Sequence, residues 1–340
     1  MRKLNDFELL IGINDETRMG ALRFKDKEEA PFISTADDYN VPPLENLRKL
    51  EQAALEFERT EYTDDKALQL LLKPRSSLGG TRPKATVKDH NNVLWIAKFP
   101  SQHDKYNIGA WEKITSDLAR MAGLNVPETM KKDFNNNGST FLTKRFDRIY
   151  ENGRTKRVHC ASALTMLGKV DGADNKDGSS YLELVDFIKE NSIQPNKDLE
   201  ELWNRVVFSI LVSNTDDHLR NHNFILTEQG WKLAPLFDVN PNPFGKELSL
   251  NITENNNLKR LSLAMDTANY YNLSFEKARS NAIRIAQVVK DNWKKLAEAN
   301  GCSNVEIERM KSTFEDESIL IKHNKKAEKT MNIDNFLRTY

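Results

Sequence analysis

The sequence predicts an α+β protein with two lobes, a β-rich N-terminal lobe over residues 1–145 and a helical C-terminal lobe over residues 146–340. Three observations predict this division. At 340 residues the chain is longer than one hydrophobic core usually serves. Short apolar runs bounded by turn residues, which are typical of strands, are common before residue 145. After it, apolar residues recur at helical spacing.

The composition is that of a globular protein with a well-charged surface. Fifty basic and fifty acidic residues cancel, so the net charge gives no argument for binding nucleic acid or a membrane. The two cysteines, Cys160 and Cys302, match no metal or redox spacing. Since the first residues lack the apolar core of a signal peptide and no apolar run reaches membrane-spanning length, a cytoplasmic location is expected.

The first 75 residues carry no group of residues that indicates chemistry, and we expect them to be scaffold. Apolar stretches at residues 7–13 and 19–24 flank turn residues 14–17, which predicts a hairpin. From Leu44 to Phe57 apolar residues recur on one helical face, which predicts a helix after Pro42 and Pro43.

Residues 75–84 form a segment rich in glycine and small hydroxyl residues. The glycines, Gly79 and Gly80, would let backbone N–H groups approach an anion, as in phosphate-binding loops. The hydroxyls of Ser76, Ser77 and Thr81 suit the same role, and Ser77 is a candidate for phosphorylation. A tight, flexible turn explains the composition about as well.

The next strand, predicted over residues 93–99 after a turn at Asn91 and Asn92, ends near Lys98. A lysine at a strand end usually extends to water, but kinases use a lysine in this position to bind the α- and β-phosphates of ATP. The helix predicted over residues 108–121 carries Glu112, which could pair with Lys98 as kinases require. The two residues together favour the phosphate-binding interpretation.

A strand over residues 141–148 is expected to lead into a basic stretch that reaches Arg157. Such a charge run is usually a solvated face, although it could also receive an acidic partner or a nucleic-acid backbone. Later segments predict helices at residues 182–188 and 199–211, a long loop at 240–257, a long helix from residue 275 to near Gly301, and a capping box at Ser303 and Glu306.

Residues 214–238 carry the strongest chemical signal. Asp216 and Asn221 are five residues apart with His218 between them, and an alternating apolar run, which predicts a hairpin, leads from them to Asp238. Kinases place a catalytic Asp, a metal-binding Asn five residues later and a second metal-binding Asp beyond a strand pair in this order. Taken alone, the spacing also fits a polar turn after a buried helix.

Five motifs in order resemble those of the HipA-family serine/threonine kinases, which are toxins of bacterial toxin–antitoxin modules. They occupy residues 76–84, 96–100, 123–127, 144–148 and 215–221. The resemblance implies a two-lobed protein-kinase-like fold, with ATP and Mg²⁺ as cofactors.

The same resemblance implies a role for each matching residue. Asp216 corresponds to the catalytic base, Asn221 and Asp238 to the Mg²⁺ ligands, and Lys98 to the phosphate-binding lysine. Ser77 corresponds to an inhibitory autophosphorylation site, with Ser76 as the alternative. Nucleotide-binding positions comprise Ser77, Gly79, Gly80, Thr81, Lys98, Glu112, Lys144, Phe146, Asp147 and His218. Lys144 departs from the family, since many members have an acidic residue there.

Partners are implied by the resemblance as well. A protein substrate is expected, such as an aminoacyl-tRNA synthetase or another translation component, together with a helix-turn-helix antitoxin that carries any contact with DNA. Longer members have an additional N-terminal subdomain, which a separate small protein could supply here. Two other functions stay open: a non-catalytic pseudokinase or DNA-associated regulatory module, and a kinase of small molecules.

Overall fold

The computed structural model describes residues 5–35, 41–60, 82–151 and 153–316. The chain forms two compact units: residues 1–110 with 127–160, and residues 111–126 with 161–340. This division differs from the predicted boundary after residue 145, because residues 111–126 belong to the second unit and 146–160 to the first. The predicted glycine-rich loop, with Ser76, Ser77, Gly79, Gly80 and Thr81, lies outside the described residues.

The first unit is built on a four-stranded antiparallel sheet with the order β1-β2-β4-β3. Its strands are β1 (Lys84–Lys88), β2 (Leu94–Lys98), β3 (Thr129–Asn135) and β4 (Gly138–Lys144). The predicted turn between β1 and β2 is confirmed: Asn92 has a left-handed φ of 61°. The Asp89 carboxylate accepts the backbone N–H groups of Asn91 at 2.9 Å and Val93 at 3.0 Å. This local bonding fixes the turn that aligns β2 and its terminal Lys98.

The core of this unit lies between the sheet and the helix α2 (Leu47–Thr60). The helix was predicted from the apolar spacing, and its buried face is apolar. The buried cluster consists of Leu47, Leu50, Ala54, Ala85, Val87, Trp95, Ala97, Phe99 and Leu142. Burial of these side chains holds β2 in the middle of the sheet.

The predicted N-terminal hairpin is wrong. Residues Asp6–Gly12 form the helix α1, because Asn5 and Glu8 make a reciprocal capping box at its start. The turn after Asn14 is present, but residues 19–24 form no strand. Backbone carbonyls of residues 16–18 and of Gly20 instead accept hydrogen bonds from arginine side chains far along the sequence, as described below. A second hairpin of the unit, β5 (Arg148–Glu151) with β6 (Arg154–Arg157), is antiparallel.

The second unit is mainly helical and is organised around the helix α6 (Pro195–Leu211), which is buried along most of its length. It packs against α5 (Tyr181–Asn191), α7 (Leu261–Asp266) and α8 (Phe275–Ala299). Its remaining helices are α3 (Ile108–Met121), which begins in the first unit, α4 (Ala163–Met166) and α9 (Asn304–Phe314). The predicted capping box of Ser303 and Glu306 is present at the start of α9.

A small sheet completes this unit, with the order β7-β8-β9. Its strands are β7 (Cys160–Ser162), β8 (Asn223–Thr227) and β9 (Gly230–Leu233), and β8 and β9 form the hairpin that the sequence predicted before Asp238. The mixture of helices and strands confirms the α+β class. Across the ranges given above, no helix has both the length and the apolar character needed to cross a lipid bilayer.

Candidate active site

The loop that carries Asp216 begins where α6 ends. Ser213 leaves the helix with a left-handed φ of 53°, which is uncommon for a residue with a side chain. The backbone N–H of Asn214 then bonds to the carbonyl of Ser209 at 2.9 Å. A buried helix therefore positions the loop, which places Asp216 at the surface of the unit.

Asn221 fixes the shape of this loop. Its side-chain nitrogen Nδ2 donates to the backbone carbonyl of Asp216 at 3.0 Å, and Asn221 itself is buried in a short 3-10 turn, Leu219–Asn221. This bond uses the amide nitrogen, so the side-chain oxygen Oδ1 is the atom with which Asn221 could bind a metal ion.

Asp238 follows the β8–β9 hairpin and also has a left-handed φ, of 59°. The side chain of Asn240 donates to its carboxylate oxygen Oδ1 at 2.9 Å. The backbone N–H of Asn240 donates at 3.1 Å to Oδ1 of Asn214. One asparagine thus links the segment of Asp238 to the loop of Asp216, and two non-glycine residues in a costly conformation mark this region.

The electrostatics of Asp216 differ from those of an ordinary surface acid. Partial burial raises the pKa of its carboxyl group, and the negative charges of Asp238 and Asp217 raise it further, while His218 opposes the shift. The influence of Asp238 means that the two predicted acids lie close enough to interact. Because the negative charges nearby disfavour its ionised form, such a carboxylate is suited to accept a proton or to lie beside a cation.

The sequence did not assign a role to Asp217, which the structure buries beneath the loop. Its carboxylate accepts hydrogen bonds from Tyr181 Oη at 2.7 Å and Ser209 Oγ at 3.1 Å, and His222 Nε2 lies 2.9 Å from it. Burial opposes the charge of Asp217, but His222 and the hydrogen bonds outweigh burial and lower its pKa. These contacts hold Asp217, which directly follows Asp216, in place. No sequence signal predicts this contact, since Tyr181 is 36 residues away.

His218, predicted at a nucleotide position, precedes the 3-10 turn and is half-buried. Its ring nitrogen Nδ1 is buried and has no hydrogen-bond partner among the residues with described positions. A buried ring nitrogen in this state can receive a hydrogen bond from, or donate one to, a ligand. The position is consistent with the predicted contact, which stays a prediction.

The predicted long loop after Asp238 folds back onto the loop of Asp216. Asn242 donates its backbone N–H to the carbonyl of Ser213 at 2.9 Å and its side-chain amide to Thr215 Oγ1 at 2.9 Å. Ser249 Oγ donates to the carbonyl of Thr215 at 2.9 Å. Lys259, which is buried, donates to Ser213 Oγ at 2.8 Å. These bonds hold both ends of the segment that precedes Asp216.

Three of the other predicted ligands, Lys98, Lys144 and Phe146, belong to the first unit. Lys98 is the last residue of β2 and is buried, with its Nζ 5.9 Å from the centre of the Phe141 ring. Lys144 ends β4 and lies 3.5 Å from Glu128. Phe146 is half-buried. Glu112 is buried on α3 in the second unit, so its pairing with Lys98 stays a prediction.

Asp147 requires a correction, because the structure gives it no exposed surface. Its carboxylate accepts hydrogen bonds from Arg145 at 2.6 and 2.8 Å, from Arg148 at 2.7 Å and from the backbone N–H of Gly20 at 2.7 Å. A carboxylate that is fully enclosed and bonded in this way cannot contact a nucleotide, so we assign Asp147 to the structure of the unit. The expectation of a solvated basic face is likewise wrong for Arg145 and Arg148, which are buried.

The two arginines bind the backbone that leads into the stretch predicted as the second strand of the hairpin. Arg145 donates to the carbonyl of Thr17 at 2.7 Å, and Arg148 donates to the carbonyl of Arg18 at 2.8 Å. Burial opposes the charge of Asp147, but the positive charges of Arg145 and Arg148 outweigh burial and lower the pKa of its carboxyl group. We call Arg145, Asp147 and Arg148 the ion cluster.

A metal site would have to rely on few protein ligands. Over the described ranges, His, Cys, Asp and Glu side chains form no group of three that could hold a metal ion. Asn221 and Asp238 supply one amide oxygen and one carboxylate, which are the hard oxygen donors that Mg²⁺ prefers. Mg²⁺ is commonly held by one or two protein ligands, with phosphate oxygens and water completing its coordination. This donor set fits Mg²⁺ bound together with a nucleotide.

A comparison with protein families identifies the family of this chain. The model of the HipA-like C-terminal domain matches residues 76–299, which is more than half of the chain. The chain belongs to the HipA-like C-terminal domain family. The matched range includes every predicted site residue, from Ser76 to Asp238. The resemblance noted from the five sequence motifs is therefore confirmed at the level of the family.

Two curated proteins that the chain resembles are named as kinases. A protein named "Putative kinase" from Haemophilus influenzae is 28% identical over 212 residues, which are 56% of this chain and 59% of that protein. A second "Putative kinase", from Sinorhizobium fredii, is 27% identical over 148 residues, 42% of this chain and 33% of that protein. The chain thus spans less than two thirds of the length of these two relatives.

Solved structures show the same fold. The first is a structure of HipA, HipB and operator DNA from a Shewanella oneidensis toxin–antitoxin system. One of its chains superposes on this chain with a TM-score of 0.66 at 18% identity, over 92% of this chain and 77% of the matched chain. The Helicobacter pylori proinflammatory kinase CtkA superposes with a TM-score of 0.53 at 16% identity, over 75% of this chain and 93% of CtkA. At these identities the likeness shows the fold alone, and it confirms the expected kinase-like fold.

Proposed function

We propose that this chain is a protein kinase, which transfers the γ-phosphoryl group of ATP to a serine or threonine hydroxyl. The observation that supports the proposal most is the arrangement of three side chains in the second unit. Asn221 is bonded to the backbone of Asp216, and Asp238 lies close enough for its charge to raise the pKa of the Asp216 carboxyl group. These are the residues, in the order, that phosphoryl transfer by kinases requires.

In the proposed reaction, the acceptor hydroxyl oxygen forms a bond to the γ-phosphorus while the bond from that phosphorus to the β–γ bridging oxygen breaks, which releases ADP. Asp216 orients the hydroxyl and takes its proton. Its raised pKa suits this role, since a general base works best when its pKa approaches the working pH.

Asn221 Oδ1 and the Asp238 carboxylate would hold Mg²⁺, which supplies positive charge to the phosphate oxygens when it is bound. Lys98 would bind the α- and β-phosphates, and Glu112 would orient Lys98. Backbone N–H groups of Gly79 and Gly80 would cover the phosphates. We propose Lys144, Phe146, Thr81 and His218 as further nucleotide contacts.

Transfer from labelled ATP tests the proposal directly. The purified chain is incubated with Mg²⁺, γ-labelled ATP and a bacterial lysate, and the labelled species are separated by size and identified by mass spectrometry. Label on proteins at Ser or Thr supports the proposal. Label on small molecules alone would support a small-molecule kinase, and no label with intact ATP would support a binding module.

Self-modification can be tested on the same material. We propose Ser77 as the modified residue, as the family resemblance suggests, with Ser76 as the neighbouring alternative. Mass spectrometry after incubation with Mg-ATP should find phosphate on the peptide with Ser77 and none on that of the Ser77→Ala variant. Phosphate on Ser76 in both proteins would move the site by one residue.

The Shewanella HipA structure, which contains HipB and operator DNA, supports a proposal for the partner. We propose that this chain binds a helix-turn-helix antitoxin and contacts DNA only through it, and that a translation component such as an aminoacyl-tRNA synthetase is its substrate. A separate small protein could add the N-terminal subdomain. Affinity purification of the tagged chain from its native cells would identify such partners.

A further inference from the structure

Phe244 is the most exposed phenylalanine of the second unit among the residues described, with 68% of its surface accessible. Other phenylalanines of this unit, such as Phe208 and Phe224, are buried in its core. A single exposed apolar residue on a protein surface needs no explanation by itself. What sets Phe244 apart is the way its loop is held.

The backbone on either side of Phe244 is fixed to the loop of Asp216. Asn242 donates to the Ser213 carbonyl and to Thr215 Oγ1, both at 2.9 Å, and its own side-chain oxygen accepts the backbone N–H of Phe244 at 3.0 Å. Asn242 therefore links the backbone that carries Phe244 to the loop that carries Asp216. Phe244 is exposed on a backbone that is held in place.

Gly245 shows how closely the two segments approach. A Cβ atom at this position would lie 2.4 Å from Thr215 Cγ2 and 2.6 Å from Thr215 Oγ1, distances that side chains do not tolerate. Only glycine allows this approach without movement of Thr215. Because Thr215 precedes Asp216, the backbone next to Phe244 packs against the residue next to the proposed catalytic base.

An apolar ring held in position at the surface is suited to bind a partner. Binding requires little ordering of the backbone, and aromatic anchors in such positions carry much of the energy of protein interfaces. A polypeptide acceptor at Asp216 carries side chains on both sides of its hydroxyl, so a ring held on the neighbouring backbone is placed to contact one of them.

We propose that Phe244 is a specificity residue that contacts an apolar side chain of the acceptor polypeptide, a few residues from the serine or threonine that receives the phosphate. This inference rests on the proposed function and deepens it. The substrate class is a polypeptide segment in which a hydroxyl residue is flanked by a Leu, Ile, Met, Val or Phe. The contact adds binding energy for the acceptor and none for ATP.

The test uses the full chain with a positional library of Ser- and Thr-containing peptides and γ-labelled ATP. The wild-type chain should prefer apolar residues at one position within three residues of the acceptor. Phe244→Ala should lose at least fivefold of that preference, and Phe244→Leu should recover part of it. On the preferred peptide, Phe244→Ala should raise KM while kcat and the KM for ATP stay unchanged.

Phe275→Ala is the matched control, since Phe275 is also exposed, at 51%, but lies at the start of α8. It should keep the wild-type preference. Equal preferences in Phe244→Ala and the wild type, or no apolar preference in a chain that labels proteins, would overturn the inference alone. A chain that labels small molecules but no polypeptide would overturn the proposed protein-kinase function, and the inference with it. Failure to transfer phosphate to any acceptor would instead overturn the proposed function.

Discussion

Asp147 and Asp216 are carboxylates of two family motifs, yet they lie in opposite surroundings. Asp147 is enclosed by Arg145, Arg148 and the amide of Gly20, and its pKa is lowered although burial opposes this. Asp216 lies at the surface, and partial burial together with Asp238 and Asp217 raises its pKa. The ion cluster satisfies its acid completely, whereas the loop of Asp216 leaves its acid short of positive charge. The first arrangement stabilises a fold, and the second suits catalysis.

The largest expected effect is on the rate of phosphate transfer, and measuring it would sharpen this comparison. Asp216→Asn should reduce phosphate transfer by about 10²–10⁴-fold, because the amide cannot take the proton of the acceptor hydroxyl. The rate of labelling with γ-labelled ATP measures this. The unfolding temperature should stay at the wild-type value, since the exposed carboxylate has no buried hydrogen-bond partner among the residues that the structure describes.

Asp266→Asn is the control for this substitution, since Asp266 is an exposed acid at the end of α7. It should leave the labelling rate unchanged. An Asp216→Asn variant as active as the control would contradict the assignment of Asp216 as the base.

The next effect is on stability. Asp147→Asn removes the negative charge between two buried arginines, and loss of one partner of a buried ion pair costs about 3–5 kcal/mol in the free energy of unfolding. Urea denaturation of the purified chain measures it. If Asp147→Asn unfolds at the wild-type urea concentration, the ion cluster does not stabilise the fold and the contrast with Asp216 disappears.

A smaller loss of stability is expected from Lys259→Met. Lys259 is buried, donates to Ser213 Oγ at 2.8 Å and lies 3.5 Å from Asp316. Loss of a charged hydrogen bond costs about 1–3 kcal/mol. Lys277→Met, which removes an exposed lysine paired with Glu200, should cost about 0–1 kcal/mol. Equal midpoints of the two variants in urea would show that Lys259 does not support the start of the loop.

The smallest expected effect is the change of the unfolding free energy with pH. Since the pKa of Asp147 is lowered in the folded chain, its charge stabilises the fold above the ordinary aspartate pKa of about 3.9, and this stability is lost as the pH falls toward the folded value. The difference in unfolding free energy between wild type and Asp147→Asn should therefore shrink as the pH is lowered from 6 to 3.

Glu51 provides a control of opposite sign. It is buried, and burial raises its pKa, so its charge destabilises the fold at neutral pH. As the pH is lowered through its raised pKa, the wild type should gain stability relative to Glu51→Gln. The same direction of change for both acids would contradict the assignment of their environments.

Local signals predicted much of this structure. The helix over residues 108–121 has the bounds that its apolar spacing predicted, and the capping box at Ser303 and the turn at Asn91 and Asn92 are present. In each case the residues that determine the element lie within it or next to it. The alternating apolar run between Asn221 and Asp238 likewise predicted the hairpin that separates them.

The errors and omissions have one physical origin, which is contact between distant parts of the sequence. The apolar pattern of residues 7–13 and 19–24 predicted a hairpin, whereas the backbone between these stretches bonds to arginines about 130 positions later. The same contacts enclose Asp147, which the motif alone placed in a nucleotide pocket. Asp217 meets Tyr181 and His222 only in the folded chain. Spacing in the sequence carries no information about such pairs.

The affinity for ATP with and without Mg²⁺ tests the central claim most directly, because it asks whether Asp238 holds the metal beside Asp216. Isothermal titration of the wild-type chain and Asp238→Asn should show affinity for Mg-ATP lowered about 10–100-fold in the variant. In EDTA the variant should bind ATP no more weakly than the wild type, because a repelling charge has been removed. Equal affinities for Mg-ATP in the two proteins would contradict the account.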